Sequence, residues 1–116
     1  MKGKVVLVPF PFDDLSITKV RPALCLTDPI GPYRHVVLAF ITSTIPADLR
    51  ETDFVLDSMQ ADFRTTGLRV SSTLRLHRLM TVTTALIERE LGSILSETQI
   101  KVDNKLRKLF KLEMEG

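Results

Sequence analysis

The sequence predicts a mainly β domain that ends in one α-helix. Several short apolar runs rich in β-branched residues are separated by turn-forming residues, a pattern typical of a small antiparallel sheet or barrel. One amphipathic segment follows at the C-terminal end, and 116 residues suit a single domain over residues 1–116. We therefore expect a curled antiparallel barrel with a C-terminal helix.

Two apolar runs at the start of the chain predict a pair of strands joined by a long loop. Residues 5–10 and 20–26 have the length and β-branched content of strands, and nine residues separate them. Hairpin loops usually have about 2–5 residues, and long ordered loops on a rigid scaffold often carry function. Arg21, next to Pro22 at the start of the second run, is either a residue that binds an anion or a solvated surface arginine.

The middle of the chain predicts one central strand and two shorter elements. Residues 34–44 are apolar on both faces until a run of hydroxyl residues, so we expect a strand that is buried on both sides. Residues 54–56 predict a short strand, after which Asp57 is placed to cap a turn of helix over residues 57–61. Residues 72–82 alternate, which predicts a strand with a solvent-exposed, cationic face formed by Thr73, Arg75 and His77.

The C-terminal part predicts a last strand and a helix. Residues 91–95 have the pattern of a short strand. Ser96 and Gln99 have the spacing of a capping box, so the helix is expected to begin at Ser96 and to run to about Leu112. Its apolar stripe is formed by Val102, Leu106, Leu109 and Phe110.

Composition excludes several classes of protein. No apolar run approaches the roughly 20 residues of a membrane span, and the N-terminus lacks the layout of a signal peptide, so we expect a cytoplasmic protein with no membrane segment. The single cysteine, Cys25, excludes an internal disulfide and lies in an apolar run, which favours a buried, inert thiol. Two histidines 42 residues apart and scattered glycines give neither metal-ligand spacing nor a phosphate-binding loop, so we expect no metal and no cofactor.

The formal net charge is only +2, but the charges are unevenly distributed along the chain. Acidic residues collect just before a basic cluster. This segregation is compatible with a basic patch and equally with a solvated surface of mixed charge. The acidic group contains Asp48, Glu51, Asp53 and Asp57, and the basic cluster contains Arg64, Arg69, Arg75, His77 and Arg78.

The available side chains suffice for one metal-free reaction in particular, the cleavage of RNA by its own 2′-OH. The protein must orient the strand, help remove the 2′ proton, stabilise the charge on the phosphorane and protonate the leaving 5′-oxygen. The planar fork of Arg21 can bind two phosphate oxygens, and a hydroxyl from Thr42 or Ser43 can add a hydrogen bond. Asp14 is the first candidate for the general base, because the long loop should overhang Arg21, and His77 is the second; a polar surface position is the competing interpretation for both.

The order and spacing of several motifs resemble the MazF/PemK/Kid family of toxin ribonucleases from toxin–antitoxin pairs. The motifs are GKVVLVPFPFDDLS, KVRPALCLT, VVLAFITST, GLRVSSTLRLHRLMTV and LGSIL, which together span nearly the whole chain. The opening is similar to that of the PemK-like branch. The resemblance implies an SH3-like barrel with a C-terminal helix, a homodimer, and an mRNA interferase that cleaves single-stranded RNA without a metal. It also implies a cognate antitoxin whose disordered, acidic tail folds over the cationic groove.

The resemblance also implies roles for individual residues. In these enzymes the arginine of the Arg-Pro motif and the threonine that ends the third strand are the central catalytic pair, which match Arg21 and Thr42, with Ser43 beside them. Few aromatic residues are available to stack on bases, and Phe12 and Tyr33 are the candidates. The residues expected to bind substrate are Phe12, Asp13, Lys19, Arg69, Ser72 and Arg75.

The sequence departs from the family pattern in its acid–base groups. Kid-like members place an arginine and an aspartate a few residues after Thr-Thr-Gly, where this chain has Val70 and Ser72, so the general acid and base stay open. The alternative function is a non-catalytic binding protein on the same fold, either a CcdB-like gyrase poison or an inactive module that binds RNA or antitoxin. CcdB acts through a C-terminal Trp-Gly-Ile, whereas this chain has no tryptophan and ends in EMEG.

Overall fold

The computed structural model describes residues 1–11 and 18–113, which form six strands, two short 3-10 segments and one α-helix. The 3-10 segments are Ala61–Thr66 and Thr84–Leu86. The strands are β1 (Lys4–Pro11), β2 (Thr18–Cys25), β3 (His35–Thr42), β4 (Asp53–Leu56), β5 (Ser72–Thr83) and β6 (Arg89–Ser93), and the helix is α1 (Ser96–Phe110). The predicted strands are therefore all present, with ends that differ from the predicted ones by two residues or fewer.

The strands form one curled antiparallel sheet in the order β4-β5-β3-β2-β1-β6. Because successive side chains of a strand point to opposite faces, the sheet carries one apolar cluster on each side. We call the side covered by α1 the helix face; it includes Leu24, Ala39, Ile41, Leu74 and Val102. We call the opposite side the far face; it includes Val8, Ala23, Cys25, Leu38 and Phe40.

The prediction of a central strand buried on both sides is confirmed. β3 lies inside the sheet between β2 and β5, with Ala39 and Ile41 in the cluster of the helix face and Leu38 and Phe40 in that of the far face. Cys25 is also buried as predicted, and this burial raises the pKa of its thiol to about 11. A thiol that stays protonated at neutral pH is a poor nucleophile, so Cys25 is a residue of the core and no candidate for catalysis.

Two glycines fit β6 tightly against the first 3-10 segment. Gly67 ends that segment with a φ of 72°, and a Cβ atom there would lie 2.1 Å from the carbonyl oxygen of Leu91. A Cβ atom on Gly92 would in turn lie 2.1 Å from the carbonyl oxygen of Thr65. This close approach of two backbones requires glycine and fixes the segment after Gly67 beside β6.

Helix α1 begins at Ser96 as predicted, but the predicted capping residues are wrong at both places. The Oδ1 atom of Asp57 accepts a hydrogen bond from the Met59 N–H at 2.9 Å, but this contact closes a turn, and the helical segment begins only at Ala61. Asp57 therefore satisfies a local turn, which is the competing role of short acidic side chains.

The capping box at the start of α1 is also absent. The N-cap residue is Leu95, which precedes Ser96, and no side chain caps the helix there. Gln99 instead donates from Nε2 to Oδ1 of Asp103 at 2.9 Å, so its amide serves an i,i+4 pair along the helix. At the other end α1 stops at Phe110, because Lys111 adopts the left-handed conformation.

The prediction of a wet, cationic face on β5 is wrong for two of its three residues. Thr73 is fully buried and Arg75 is half-buried, whereas His77 is exposed. The reason is the edge strand β4, which pairs with this part of β5 and places Asp53 opposite Arg75 and Val55 opposite Thr73. Across the described ranges, no helix is long and apolar enough to span a membrane.

Candidate active site

The strand register brings Arg21 and Thr42 to the same rim of the sheet. β2 pairs with β3 from Cys25–Leu38 to Ala23–Phe40, and extending this register by two residues sets Arg21 opposite Thr42. Both residues belong to the far face, since each lies two positions from a residue of that face's cluster. Arg21 is exposed, and it also pairs across the other ladder with Val8 of the same cluster.

A cleft of about 190 Å³ opens at this rim, and we call it the Arg21 cleft. The hydroxyl of Thr42 accepts a hydrogen bond from the Thr44 N–H at 3.2 Å, which holds its oxygen at the end of the strand. The cleft therefore combines a guanidinium group with three consecutive hydroxyl residues, a composition suited to a phosphate group. It is lined by Arg21, Pro22, Phe40, Ile41, Thr42, Ser43 and Thr44.

Behind this rim, a second row of far-face residues holds a paired arginine. Phe40 of β3 lies opposite Arg75 of β5, which lies opposite Asp53 of β4. The Nε atom of Arg75 donates to Oδ1 of Asp53 at 3.1 Å, and the carboxylate of Asp53 is fully buried. The other oxygen of Asp53 accepts the backbone N–H of Arg50 at 2.9 Å, so the carboxylate fixes both the loop and the guanidinium group.

The front row contains a buried hydroxyl with an unusual environment. Thr73 lies directly opposite Thr42 in the β3–β5 ladder, so the two side chains share the far face. Its Oγ1 atom is buried and makes no hydrogen bond within the described part of the chain. Such a group costs free energy, commonly about 1–3 kcal/mol, and for that reason it is uncommon in native proteins.

The register of β5 breaks next to this row. Ala39 pairs with Leu79 but Phe40 pairs with Arg75, so residues 76–78 form a bulge on β5 that has no counterpart on β3. Bulges of this kind redirect side chains and are common near active sites.

The bulge contains His77 and Arg78, which line a second opening on the far face. The Nδ1 atom of His77 and the Oγ1 atom of Thr52 share a hydrogen bond of 2.8 Å. Partial burial and the neighbouring Arg75 charge lower the pKa of His77 below its usual 6.5, which favours the neutral imidazole. We call this opening the Arg78 groove; its volume is about 370 Å³, and it is lined by Phe10, His77, Arg78, Leu79 and Met80.

A third opening, the Arg69 cleft, continues from the Arg21 cleft around the rim to the helix face. The two share Pro22 and Ser43, and the Arg69 cleft has a volume of about 310 Å³. Ser72 lies in its wall but is buried, and its hydroxyl donates to the Val70 carbonyl at 2.9 Å, so it offers little to a ligand. The lining residues are Leu7, Pro22, Ser43, Gly67, Leu68, Arg69, Val70, Ser72, Arg89 and Leu91.

The residues predicted to bind substrate are thus distributed over several surfaces. Arg69 lies in the Arg69 cleft, Arg75 lies behind the rim, and Lys19 is exposed on β2 opposite Phe10 of the far face. Tyr33 precedes β3 and its ring lies near that of His35, the first residue of the strand. Thr42 is the last residue of the same strand, so Tyr33 lies away from the Arg21 cleft. Phe12, Asp13 and Asp14 lie outside the described residues.

Arg78 and Thr73 gain a place at the site only from the structure. Arg78 belonged to the basic cluster of the sequence, but nothing in the pattern distinguished it from its neighbours, because the bulge that redirects it is invisible to alternation. Thr73 was predicted to lie on the solvent-exposed face of β5, whereas it is buried. Among residues 1–11 and 18–113, no group of three or more potential ligands could hold a metal ion.

The fold and the rim define a class of small β-sheet proteins, closed by one terminal helix, with an arginine and a threonine in one polar cleft. Residues 1–110 match the model of the family described as "PemK-like, MazF-like toxin of type II toxin-antitoxin system", and the chain belongs to this family. No curated protein sequence matches the chain.

Solved structures give the same assignment of the fold. The Mycobacterium tuberculosis toxin MazF-mt6 superposes with a TM-score of 0.72 at 20% identity, over 96% of this chain and 99% of that chain. A mycobacterial endoribonuclease in complex with its cognate antitoxin superposes with a TM-score of 0.70 at 18% identity, over 99% of this chain and 98% of that chain. The expected fold, a curled antiparallel barrel with a C-terminal helix, is confirmed.

Proposed function

We propose that this protein is a toxin endoribonuclease that cleaves single-stranded RNA by attack of a 2′-OH on the adjacent phosphate, without a metal ion. The observation that carries the proposal is that Arg21 and Thr42 line one cleft, in a chain of the PemK-like and MazF-like family. A structure of the same fold is described as an endoribonuclease, which agrees with this activity.

In this mechanism Arg21 binds the non-bridging oxygens of the scissile phosphate. Its guanidinium stays protonated and presents two parallel donors, so it stabilises the charge that grows as the phosphorane forms. The hydroxyl groups of Thr42 and Ser43 donate further hydrogen bonds to the same phosphate, from the strand end that lines the cleft. Donors fixed before the reaction cost no reorganisation in the transition state.

The general base that accepts the 2′ proton stays assigned to Asp14 first and to His77 second. A neutral imidazole can accept a proton, and the lowered pKa of His77 favours that form. However, His77 lines the Arg78 groove, and Phe40 lies in the wall of the Arg21 cleft beneath Arg78. His77 is not among the described residues that line the Arg21 cleft, so Asp14, which the sequence places in the loop before Arg21, keeps the first place.

The partners of the proposed toxin are single-stranded RNA and a cognate antitoxin, in the cytoplasm, with a homodimer as the working assembly. The far face at and beside the rim presents Lys19, Arg21 and Arg78, a charge pattern that suits a phosphodiester chain. An antitoxin with an acidic segment would suit the same charges, and one structural neighbour is described as bound to its cognate antitoxin.

The direct test is to incubate the purified protein with a long unstructured RNA in the presence of EDTA and to analyse the ends of the fragments. We expect cuts that leave 2′,3′-cyclic phosphates, because the attacking oxygen comes from the RNA itself. Intact RNA, or cleavage that requires an added divalent ion, would contradict the proposal. RNA that is bound but stays intact would support the non-catalytic alternative.

A double-mutant cycle tests whether Arg21 and Thr42 act together. If both contact one phosphate, the losses from Arg21→Ala and Thr42→Val will not add, since either change already disrupts the shared interaction. Strict additivity of the two losses in kcat/KM would place the residues on different parts of the RNA and would remove the argument for one catalytic cleft.

A further inference from the structure

Arg78 lies over the face of an aromatic ring at the border of the candidate active site. Its guanidinium carbon is 4.8 Å from the ring centroid of Phe40, within the range of a cation–π contact. Phe10 packs edge-on against the same ring, with a centroid distance of 5.1 Å and an interplanar angle of 73°. Phe40 itself is only 5% exposed, so the guanidinium of Arg78 is the exposed top of this stack.

The bulge on β5 is what places Arg78 there. Residues 76–78 are inserted opposite the step from Ala39 to Phe40, so the chain bends and Arg78 reaches back over the ring. Within the described residues, no carboxylate pairs with Arg78, whereas Arg75 is bound to Asp53. Of the two arginines, Arg78 is the more exposed one, and its guanidinium plane lies over Phe40 at the surface.

The surroundings of Arg78 fit a flat, weakly polar ligand better than a phosphate. The Arg78 groove has an apolar wall from Phe10, Leu79 and Met80, and its other polar residue, His77, is held by Thr52. The lowered pKa of His77 favours the neutral ring, so the groove does not provide a second fixed positive charge. A phosphate site would need several converging donors, and the described residues that line this groove do not provide them.

Phe40 connects this groove with the Arg21 cleft, because the same ring lies under Arg78 and in the wall of the cleft. A nucleotide whose phosphate sits at Arg21 therefore has its own base, or that of its neighbour, within reach of Arg78. Proteins bind unpaired bases by stacking them on aromatic rings or on arginine planes.

We propose that Arg78, supported by Phe40, forms a subsite that stacks one nucleobase of the RNA strand next to the scissile phosphate. The proposal rests on the proposed function for its ligand class. It assigns to Arg78 a role in substrate binding and register, while Arg21 and Thr42 contact the phosphate.

The test measures binding of an RNA that cannot be cut. A short single-stranded RNA is selected by the wild-type protein from a randomised pool built with 2′-O-methyl riboses, and it is then changed to an abasic site at one position at a time. Affinities are measured for wild type, Arg78→Ala and Arg78→Lys. Arg64→Ala is the matched control, since Arg64 is exposed and lines none of the three openings.

We expect Arg78→Ala to weaken binding by roughly 5- to 150-fold, the range for loss of one stacked base. The loss should vanish for the RNA that lacks one particular base, because Arg78 then has no base to stack on even in the wild-type protein. Arg78→Lys should lose nearly as much, since an ammonium group has no plane, while the dependence of affinity on salt stays unchanged. Arg64→Ala should show no dependence on any single base.

Three results would overturn the subsite. The first result is a phosphate contact. In that case Arg78→Lys binds like wild type, and Arg78→Ala loses the same affinity for every abasic RNA. The slope of log affinity against log salt concentration also falls by about one unit in Arg78→Ala. The second result is an Arg78→Ala protein that binds RNA like wild type; if it then binds an acidic antitoxin peptide more weakly, Arg78 makes a protein contact. Absence of RNA binding by the wild type would overturn both the subsite and the proposed function.

The two proposals fail separately in the remaining cases. If the base-dependent loss is found but the unmodified RNA stays intact, the subsite stands and the catalytic proposal fails. If wild type cleaves RNA and Arg78 variants bind every abasic series alike, the catalytic proposal stands and the subsite fails.

Discussion

The helix face and the far face of the sheet carry similar apolar clusters but differ at the rim where β2 starts and β3 ends. On the helix face the packing continues to the backbone, where Gly67 and Gly92 allow β6 and the 3-10 segment to touch. On the far face the apolar cluster gives way to Arg21, Thr42 and the buried, unpaired hydroxyl of Thr73. Both faces thus contribute a core, but the polar groups suited to chemistry collect on the far face.

The largest effect is expected on the helix face, from Gly67→Ala. The added Cβ would lie 2.1 Å from the Leu91 carbonyl oxygen at a φ of 72°, so both a steric clash and a strained backbone result. We expect the free energy of unfolding to fall by about 2–4 kcal/mol, measured by urea denaturation. Gly31→Ala is the control, because its φ is 74° but no atom of the described residues would lie within 4 Å of the added Cβ, so it should lose only the backbone part. Equal losses for the two variants would show that close packing against β6 contributes nothing.

On the far face, Arg21→Ala should lower the rate of RNA cleavage by about 10²–10³, the usual cost of one preorganised donor. The free energy of unfolding should change by about 1 kcal/mol at most, because Arg21 is exposed at the rim. Cleavage assays and urea denaturation of the same preparation provide the two numbers. Arg64→Ala removes an equal charge away from the cleft and should be close to wild type in both. If the rate of Arg21→Ala stays within a few-fold of wild type, Arg21 is not a catalytic residue.

Two buried threonines make the comparison sharper. The hydroxyl of Thr66 donates to the Phe63 carbonyl at 2.7 Å and accepts the Leu68 N–H at 3.2 Å. The hydroxyl of Thr73 makes no hydrogen bond with any described residue. We expect Thr66→Val to lower the free energy of unfolding by about 1–2 kcal/mol and Thr73→Val to raise it by about 1 kcal/mol.

The rate of RNA cleavage then shows whether the site uses the Thr73 hydroxyl. Since Thr73 lies opposite Thr42, a variant that is more stable but slower would mean that the unpaired hydroxyl is retained for the reaction. A Thr73→Val protein that is less stable than wild type would mean that the hydroxyl already has a hydrogen-bond partner.

The sequence was sufficient for most of the fold because strand patterns are local. Continuous apolar runs located the central strand and the burial of Cys25, since both depend only on which side chains are apolar. The capping box failed because Gln99 had a nearer partner in Asp103, and pattern alone does not rank two local hydrogen bonds.

The candidate site was less accessible from the sequence, because its parts meet through register. Arg21 and Thr42 were found through the family resemblance, and their common cleft follows from a ladder that joins distant segments. Thr73 was predicted to be exposed to solvent, because the local pattern does not show that β4 pairs with this part of β5. Arg78 was missed as a site residue because a three-residue bulge shifts the side chains without leaving a mark in the sequence.

The smallest effect is expected from His77→Gln, and it separates a structural role of His77 from a catalytic one. Burial and the Arg75 charge lower the pKa of His77 in the folded protein below the 6.5 of the unfolded chain. The folded protein favours the neutral ring of His77. The contribution of this ring to the free energy of unfolding is therefore present above pH 6.5 and is lost as the pH falls through the pKa of the folded state. Wild type should therefore lose a little stability on acidification that His77→Gln does not lose, and the difference is small because His77 is mostly solvated.

The same titration decides between the two bases when the cleavage rate is measured alongside stability. If His77 accepts the 2′ proton, the acid limb of the pH–rate profile disappears in His77→Gln together with most of the rate. If Asp14 is the base, the limb persists in His77→Gln and is lost in Asp14→Asn. In that case His77 only fixes the bulge through Thr52, and its effect on RNA should be confined to the affinity of the Arg78 groove.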